Sequence, residues 1–500
     1  MRVAVVRIGV IGLGTLAASV AVGWMITRLP NTVQNGVWLP LVALTAMLGA
    51  AIAVGVRGHR DAFSPLVVLP VVLLLLYLVR PLYILSSGRF GPTRAVDDRA
   101  VTPDVLPAIA HALWLAVLGI GCLLAGFALH GLMTGSIRAL RARETRSSVS
   151  FSLAGRDRVV MVLGCALALT VYGYWVLVGQ AGGFSQYLSA LSLRGGFFFG
   201  HAYVVAITLP LKVTALILAA SIFKQSRIGG ATWLGLGFVF AVVAFGDFLT
   251  GGRAGLLLGT LLPVVMLYHY VRRPLSAKAI GVFVFAALII FVAARVVTRD
   301  AIYAQGGGKS RISILESSLL HLPTTTVGGR EAIEFDSLVT LVRSPQPKLL
   351  LGTTYAPIVT FPIPRTFWSG KPIGGGNTWF TQAYFPQYYA LGRTETSVSF
   401  FGESLANFGI AGIALLSFLF GSALAAVYAG FRREGGSPLR CIYYAITLGY
   451  SLTLIRGDAF HSLTWLAMSV LLTMSGVSLL TSRGEEEARD VSVQPVVASA

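Results

Sequence analysis

Long runs of apolar residues recur along almost the entire chain, and they constrain its fold more than any other feature. A helix needs about 20 apolar residues to cross the hydrocarbon core of a bilayer. Twelve segments meet this requirement, and they lie at residues 4–27, 37–56, 62–83, 105–132, 158–179, 203–223, 230–249, 254–271, 279–298, 401–431, 440–456 and 459–481. We therefore predict an all-α polytopic membrane protein with about 12 transmembrane helices.

The amino-acid composition excludes most alternatives to a membrane protein. Of the 500 residues, 55% are hydrophobic and 12% are charged, whereas a soluble domain contains about 25% charged residues. These values exclude a soluble enzyme, a disordered chain and a disulfide scaffold. The three cysteines, Cys122, Cys165 and Cys441, all lie in apolar runs, so we expect thiols that form no disulfide.

The distribution of Lys and Arg predicts the orientation of the helices, because cytoplasmic loops are enriched in these residues. With a cytoplasmic N-terminus, every inner loop contains at least two of them, and residues 133–158 contain six. Both termini are therefore predicted to be cytoplasmic. The first apolar run follows Arg2 and Arg7, and we interpret it as an uncleaved helix. The net charge of +19 is attributed to this topology and to anionic lipid or substrate, not to nucleic acid.

The predicted topology divides the chain into four parts. Residues 1–299 contain transmembrane helices 1–9, and residues 401–483 contain helices 10–12. Between them, residues 300–400 form one large extracytoplasmic loop with short helices, of which one is amphipathic, because apolar residues recur at helical spacing over 335–342. Residues 484–500 are polar and are predicted to form a disordered cytoplasmic tail.

Several polar residues map to the outer ends of the predicted helices. They are Arg194, His201, Arg253, Glu403, Arg456, Asp458 and His461. Lys212 lies near the middle of its span, and Asp247 lies one or two turns inside the outer boundary. A charge in the membrane interior costs about 2.5–3.5 kcal/mol on insertion scales, so such residues usually face a cavity or a partner. We expect an outward-facing polar cavity rich in Arg and Lys.

The turn that contains Arg253 is a candidate anion site. Gly251 and Gly252 favour a tight turn that exposes backbone N–H groups near a helix start, which suits an anion. The alternative is that Arg253 only extends its side chain to lipid headgroups. For Lys212, a structural ion pair with Asp247 and a functional role both remain open.

A second group of candidates lies near the end of the chain. Arg456 and Asp458 form either a local ion pair that caps two helices or part of the site. His461 is either an interfacial histidine or a substrate-binding residue.

The large outer loop contains two more cations, Arg365 and Lys371, held between two prolines. They form either a structural turn or a pyrophosphate clamp, in which Arg binds phosphate bidentately and Lys adds a point charge. The aromatic run over 379–389 is either an interfacial belt or a platform for stacking sugars.

Other motifs are absent from the sequence. It contains no Walker loop, no His and Cys residues at metal-binding spacing, no DxD pair in a soluble segment and no nucleophile elbow. We therefore expect no metal and no cofactor. It also contains no internal repeat, which argues against a secondary transporter.

Four short stretches resemble a known family. They lie at residues 182–200, 251–255, 335–372 and 402–412, and Arg456-Gly457 also fits. In order, spacing and topology they are similar to the bacterial O-antigen polymerases, which are Wzy-type oligosaccharide repeat-unit polymerases. The resemblance implies a GT-C-like polymerase or ligase architecture in the bacterial cytoplasmic membrane, with the active site facing outward.

The resemblance also implies an activity. Such proteins transfer a growing glycan from an undecaprenyl pyrophosphate carrier onto the next lipid-linked repeat unit, and they need no nucleotide sugar. The implied partners are the lipid-linked donor and acceptor, membrane lipid, a chain-length regulator and a flippase, but no nucleic acid. Two alternatives stay open: an O-antigen ligase or another lipid-linked envelope glycosyltransferase, and a non-enzymatic transporter of lipid-linked glycans.

Negative charge grows on the leaving pyrophosphate during such a transfer, so cations aimed at it are catalytic. A carboxylate base activates the acceptor hydroxyl if one is required. The predicted catalytic residues are Arg253, Glu403, Arg456 and Asp458, with Glu403 and Asp458 as the candidate bases. The predicted substrate-binding residues are Arg194, Lys212, Arg365, Lys371 and His461.

Overall fold

The computed structural model describes the chain between residues 31 and 480. Within that range its description omits residues 57–60, 91–98, 103, 142–154, 192–201, 251–252, 296–315, 317–319, 321–331, 364–366, 373, 391–394 and 434–436. The described chain is helical apart from its loops and one antiparallel pair of two-residue strands, β1 (Arg89–Phe90) and β2 (Arg99–Ala100). All three cysteines are unpaired, as predicted.

Long helices occupy the predicted spans. They are α1 (Asn31–Val54), α2 (Pro65–Ser87), α3 (Leu106–Arg141), α4 (Arg156–Gln180), α7 (Leu209–Phe223), α8 (Gly230–Leu249), α9 (residues 253–272), α10 (Ala277–Arg295), α15 (Phe400–Arg433), α16 (Pro438–Arg456) and α17 (Ala459–Leu480). In the described part of the chain, eight helices are long and apolar enough to cross a bilayer. An all-α polytopic membrane protein is therefore confirmed, whereas the total of twelve spans stays a prediction. The first predicted span, 4–27, lies outside the described residues.

Short helices complete the described structure. They are α5 (Phe184–Ala190), α6 (Ala202–Ala206), α11 (Glu334–Arg343), α12 (Ala356–Thr360), α13 (Gly376–Tyr384) and α14 (Pro386–Ala390). Four of them, α11 to α14, lie in the segment between α10 and α15, where the sequence predicts one large loop with short helices.

Prolines explain the local irregularities of α2 and α9. Each helix contains a π-helical turn, at Leu75–Val79 in α2 and at Leu257–Leu261 in α9. A proline follows each turn, Pro81 in α2 and Pro263 in α9. Proline donates no backbone hydrogen bond and clashes with the carbonyl four residues earlier. The wider π turn provides the local adjustment that lets the helix continue past the proline.

Glycines let α3 and α15 pack closely together. A Cβ on Gly126 would lie 2.1 Å from the Phe418 oxygen, and a Cβ on Gly421 would lie 2.0 Å from the Leu123 oxygen. No larger residue fits at either position without displacing backbone. Such close contact between small residues is a main source of helix association in membranes, where apolar burial provides little driving force.

A buried carboxylate joins several helices at one end of the bundle. Asp61 accepts hydrogen bonds from the Tyr270 hydroxyl at 2.6 Å and the Tyr428 hydroxyl at 2.8 Å. Tyr444 donates to the backbone oxygen of Phe63, which follows Asp61 closely in the chain. We call these five residues the Asp61 cluster. It ties the end of α9, the end of α15 and the start of α16 to the segment before α2.

Helix α11 is the amphipathic helix that the sequence predicts over 335–342. Its apolar residues Phe335, Leu338 and Val339 are fully buried, and the helix packs against α2, α3 and α15. It ends at Arg343, because Ser344 has a non-helical backbone before Pro345. This part of the large loop is therefore packed onto the helix bundle.

Candidate functional site

A cluster of charged side chains lies where α15, α16 and α17 meet the segment that contains α13. Its members are Glu395, Glu403, Arg456, Asp458 and His461, and we call it the Asp458 cluster. It lies at the opposite end of α15 and α16 from the Asp61 cluster. The structure thus brings together Glu403, Asp458 and His461, which the sequence places at the outer boundary, and adds Glu395, while Arg456 lies two residues before Asp458 at the end of α16.

Asp458 caps the start of α17. Its Oδ1 accepts a hydrogen bond from the His461 backbone N–H at 3.0 Å, which is the usual role of an aspartate before a helix. Its Oδ2 accepts from the Asn377 backbone N–H at 2.9 Å. Burial alone raises the pKa of Asp458, but the charge and hydrogen bond of His461 and the two backbone amides outweigh it, so this pKa lies below its usual value.

The same carboxylate orients the imidazole of His461. His461 Nδ1 lies 2.8 Å from Asp458 Oδ1. An ionised carboxylate only accepts hydrogen bonds, so we assign the proton of this contact to Nδ1. In the neutral imidazole, Nε2 is then the basic nitrogen. The His461 side chain is 45% exposed, and its Nε2 lies 4.0 Å from Oε2 of Glu395.

Glu403 has no exposed surface, and both of its carboxylate oxygens accept hydrogen bonds. Thr354 donates to Oε1 at 2.7 Å, and the Ala459 backbone N–H donates to Oε2 at 2.7 Å. Asn407, one turn later on α15, donates to the Thr354 hydroxyl at 2.8 Å. Glu403 therefore ties the first turn of α15 to the start of α17. This geometry favours a positioning role for Glu403 over the predicted role of a base.

Arg456 is the last residue of α16, where a cation complements the helix dipole. Its Nε donates to Oε1 of Glu334 on α11 at 3.1 Å, and 27% of its side chain is exposed. Its backbone oxygen accepts a hydrogen bond from the Ser397 hydroxyl. Arg456 is thus a partly exposed cation held from two directions, five residues before His461.

Lys371 holds the proline-rich turn that precedes it. Its Nζ donates to the backbone oxygens of Phe361 at 2.9 Å and Ile363 at 3.0 Å. The Phe361 ring contacts Phe460 at the start of α17, with centroids 6.1 Å apart, and stacks on Tyr203 at 5.4 Å. These contacts fit the structural alternative for Lys371, and they attach the turn to the helix that carries His461.

Lys212 and Asp247 form an ion pair, which is one of the two alternatives that the sequence left open for Lys212. Lys212 Nζ lies 2.7 Å from Asp247 Oδ1, and the Thr260 hydroxyl donates to Asp247 Oδ2 at 2.5 Å. Gly259 leaves room for the ammonium, because a Cβ there would lie 3.2 Å from Nζ. The group links α7, α8 and α9 and favours a structural role for Lys212.

Three predicted cations contribute no described side chain. Arg194 and Arg365 lie outside the described residues, and Arg253 is described only as the first residue of α9. The convergence of Arg253, Arg365 and Arg456 on one pocket therefore stays a prediction. Among the described residues, no group of three or more His, Cys, Asp and Glu side chains is arranged to hold a metal ion.

Sequence reasoning missed Glu334, which contacts Arg456, and Glu395, which lies near His461. Glu334 and Asp336 flank the buried Phe335, so at least one acid had to lie near the apolar face of α11, and a buried acid requires a partner. No sequence pattern identifies Glu395, because it lies in a loop and is brought close to His461 only by the tertiary structure.

Comparisons with protein-family models, with curated proteins and with solved structures find no match to this chain. The chemistry of the Asp458 cluster is therefore the main basis for an assignment of function. The resemblance of four stretches to the O-antigen polymerases stays a prediction.

Proposed function

We propose that this chain is a membrane glycosyltransferase that polymerises undecaprenyl-pyrophosphate-linked oligosaccharide repeat units. The proposed site lies on the outer face of the bacterial cytoplasmic membrane. One observation carries the proposal: the partly exposed guanidinium of Arg456 ends α16, and the first turn of α17 that follows it holds His461, whose imidazole a buried carboxylate orients. Transfer from a pyrophosphate donor to a hydroxyl requires a cation for the leaving pyrophosphate and an oriented base for the hydroxyl proton, and Arg456 and His461 can supply these two groups.

The proposed reaction exchanges one bond at the anomeric carbon of the donor sugar. The bond between that carbon and the pyrophosphate oxygen breaks, and the pyrophosphate leaves with the electron pair. The oxygen of the acceptor hydroxyl forms the new bond to the same carbon. The hydroxyl proton passes to the base, and the products are the extended glycan on its carrier and undecaprenyl pyrophosphate.

In this proposal Arg456 stabilises the charge that grows on the departing pyrophosphate. A guanidinium suits that role, because its planar fork binds phosphate oxygens in pairs and remains charged at any physiological pH. One such contact contributes about 3 kcal/mol to transition-state stabilisation. Arg253 and Arg365 are proposed as further cations of the same site, on the basis of their sequence context alone.

His461 is proposed as the base that accepts the proton of the acceptor hydroxyl. The Nδ1 contact with Asp458 fixes the ring and leaves Nε2 as the proton acceptor. The resemblance does not supply this role, since the sequence pointed to Glu403 or Asp458. It rests on exposure: Asp458 and Glu403 have no exposed surface, whereas nearly half of the His461 side chain is exposed.

The test is a reaction with the purified full-length chain in nanodiscs. The substrate is lipid-linked oligosaccharide extracted from source cells that lack this chain, together with the other envelope lipids of those cells. We expect a ladder of products that differ by one repeat unit. Transfer of single units to another lipid acceptor would identify a ligase instead. If no glycosidic bond forms while the lipid-linked substrate crosses the bilayer of proteoliposomes, the chain is a transporter.

A further inference from the structure

Helix α11 carries two buried carboxylates, and each pairs with an arginine on a different long helix. Asp336 accepts hydrogen bonds from Nε of Arg80 on α2, at 3.3 Å and 3.2 Å, and from Nη2 of the same residue. Glu334 accepts from Nε of Arg456 on α16 at 3.1 Å. Both carboxylates are almost completely buried, with 0% and 1% of their surface exposed.

The two ion pairs differ in the arginine. Arg80 is 3% exposed, so its pair with Asp336 is sealed inside the protein and can only hold α11 against the bundle. The Arg456 side chain is 27% exposed, so the Glu334 pair joins a buried anchor to a cation at the surface. One pair docks the helix, and the other fixes a side chain that solutes can reach.

A second connection runs from α11 to the backbone of Arg456. The Ser337 hydroxyl donates to the Ser397 backbone oxygen at 2.5 Å. The Ser397 hydroxyl in turn donates to the Arg456 backbone oxygen. Glu334 and Ser337 are three residues apart and therefore lie on the same face of the helix. That face holds both the side chain and the main chain of Arg456.

We propose that Glu334 is a positioning residue that orients Arg456 to bind the pyrophosphate of the lipid-linked donor, an inference that rests on the glycosyl transfer proposed above. The guanidinium carries five N–H groups in one rigid plane, so a contact that fixes Nε also fixes the direction of the others. An arginine side chain has many rotamers, and a pre-oriented fork loses less freedom when the anion binds. Misplacing a catalytic group by about 1 Å can lower a rate about a hundredfold.

The experiment measures whether Glu334 acts through Arg456. Full-length protein in detergent is titrated with undecaprenyl pyrophosphate by calorimetry, for wild type, Glu334→Gln, Arg456→Gln and the double variant. Turnover is measured on the same samples with extracted lipid-linked repeat units. We expect Glu334→Gln to raise the Kd for undecaprenyl pyrophosphate about tenfold and to lower kcat about tenfold. In the Arg456→Gln background, the same substitution should change neither.

Asp336→Asn is the matched control, because it neutralises the other buried acid of α11. We expect it to lower the thermal stability of the protein. If it also weakens binding, the factor should be the same with and without Arg456→Gln. Glu334→Asp keeps the charge but retracts it by one methylene group, and it replaces Glu334→Gln if that variant does not fold. We expect it to weaken binding in the wild-type background only.

The outcomes separate this inference from the proposed function. If Glu334→Gln weakens binding by the same factor with and without Arg456, Glu334 is only structural and the inference is overturned. It is also overturned if the wild type does not bind undecaprenyl pyrophosphate. If wild type forms no glycosidic bond but the two substitutions are coupled in binding, the positioning role stands and the proposed polymerisation is wrong.

Discussion

His461 depends on residues that lie on other elements for its orientation. Asp458 fixes Nδ1, while the Asn377 backbone N–H and the Ala459 contact to Glu403 fix the loop that carries Asp458. This restraint is what the proposed role of His461 as a general base needs from the protein. The roles of these residues can be separated by single substitutions.

Replacement of the imidazole is the first prediction at this scale. We expect His461→Gln to lower kcat at least about a hundredfold, because general-base catalysis typically contributes factors of about 100 to 10,000. The measurement is polymer formed per membrane-inserted protein. His269→Gln is the control: His269 lies near the Asp61 cluster, and its Nδ1 accepts from the Leu275 backbone N–H at 3.0 Å. Equal losses in the two variants would contradict a catalytic role for His461.

The second prediction concerns the stability that Asp458 provides as a function of pH. Its pKa is lowered in the folded protein, so the ionised form is the favoured one. The resulting stability is fully present above the unfolded pKa of about 3.9 and is lost as pH falls through the lower folded pKa. At neutral pH, we expect the free energy of unfolding of the wild type to be about 2 kcal/mol larger than that of Asp458→Asn. Thermal unfolding of both proteins in detergent from pH 7 to pH 3 measures this difference in stability. If the difference increases below pH 4, the predicted direction of the pH dependence is wrong.

At the residue scale, the sequence marks candidate positions where a polar side chain interrupts an apolar run. Glu403, Arg456, Asp458 and His461 could each be placed at a predicted helix end, and contacts in the fold then join Glu403, Asp458 and His461. Their roles could not be ranked, because exposure and the choice of partner depend on tertiary contacts. Glu334 illustrates the limit: its partner Arg456 is more than a hundred residues away.

At the scale of secondary-structure elements, α15 contains an interruption that no hydropathy pattern indicates. Gly409 has φ 66° and ψ −156°, a conformation that essentially only glycine adopts. Around this break, the Ala406 and Asn407 backbone oxygens accept hydrogen bonds from the Leu350 and Leu351 backbone N–H groups, both at 3.0 Å. The large loop is therefore attached to α15 through the hydrogen bonds that the helix gives up.

Substitution of Gly409 tests this attachment. We expect Gly409→Ala to destabilise the protein by about 1–3 kcal/mol, because a Cβ is strained in that backbone conformation. Gly281→Ala is the matched control, since Gly281 lies in α10 and a Cβ there meets nothing within 4 Å. That change should leave stability unaltered or raise it by up to about 1 kcal/mol. Thermal unfolding of both variants in detergent provides the comparison, and a neutral Gly409→Ala would rule out the strain.

Element boundaries followed the sequence closely where an apolar run alone defines the helix. The predicted span 230–249 coincides with Gly230–Leu249, and 459–481 differs from Ala459–Leu480 by one residue. The π turns and the break at Gly409 were not predicted. These features arise from backbone hydrogen bonding around prolines and one glycine. Side-chain hydropathy does not report backbone hydrogen bonding, so it could not predict them.

At the scale of the whole molecule, two polar clusters lie at opposite ends of the bundle. The Asp61 cluster joins one set of helix ends, and the Asp458 cluster joins the other. The predicted orientation places the Asp61 cluster on the cytoplasmic side, because the adjacent loops are rich in Arg and Lys. Neither cluster was predicted as a unit, because the sequence does not show which helix ends lie next to each other in the bundle.

Cysteine labelling in intact cells tests the orientation. Single cysteines are introduced at Lys348 and Ser226, both exposed, in a variant in which the three native cysteines are replaced. A membrane-impermeant maleimide should label Lys348→Cys before permeabilisation and Ser226→Cys only afterwards. The reverse pattern would invert the topology, and equal labelling of the two sites in intact cells would refute the predicted spans between them.

The break at Gly409 also leads to a prediction about the depth of the proposed site in the membrane. Residues 410–433 alone form a helix about 36 Å long, which exceeds the roughly 30 Å of hydrocarbon. The turn that carries Glu403 is therefore not needed to cross the bilayer, and we expect it to lie at the level of the lipid headgroups. The pyrophosphate of a polyprenyl carrier occupies that same layer, because its tail stays among the acyl chains. A donor would thus reach Arg456 and His461 by lateral diffusion within the leaflet, and its supply would depend on surface density rather than on solution concentration.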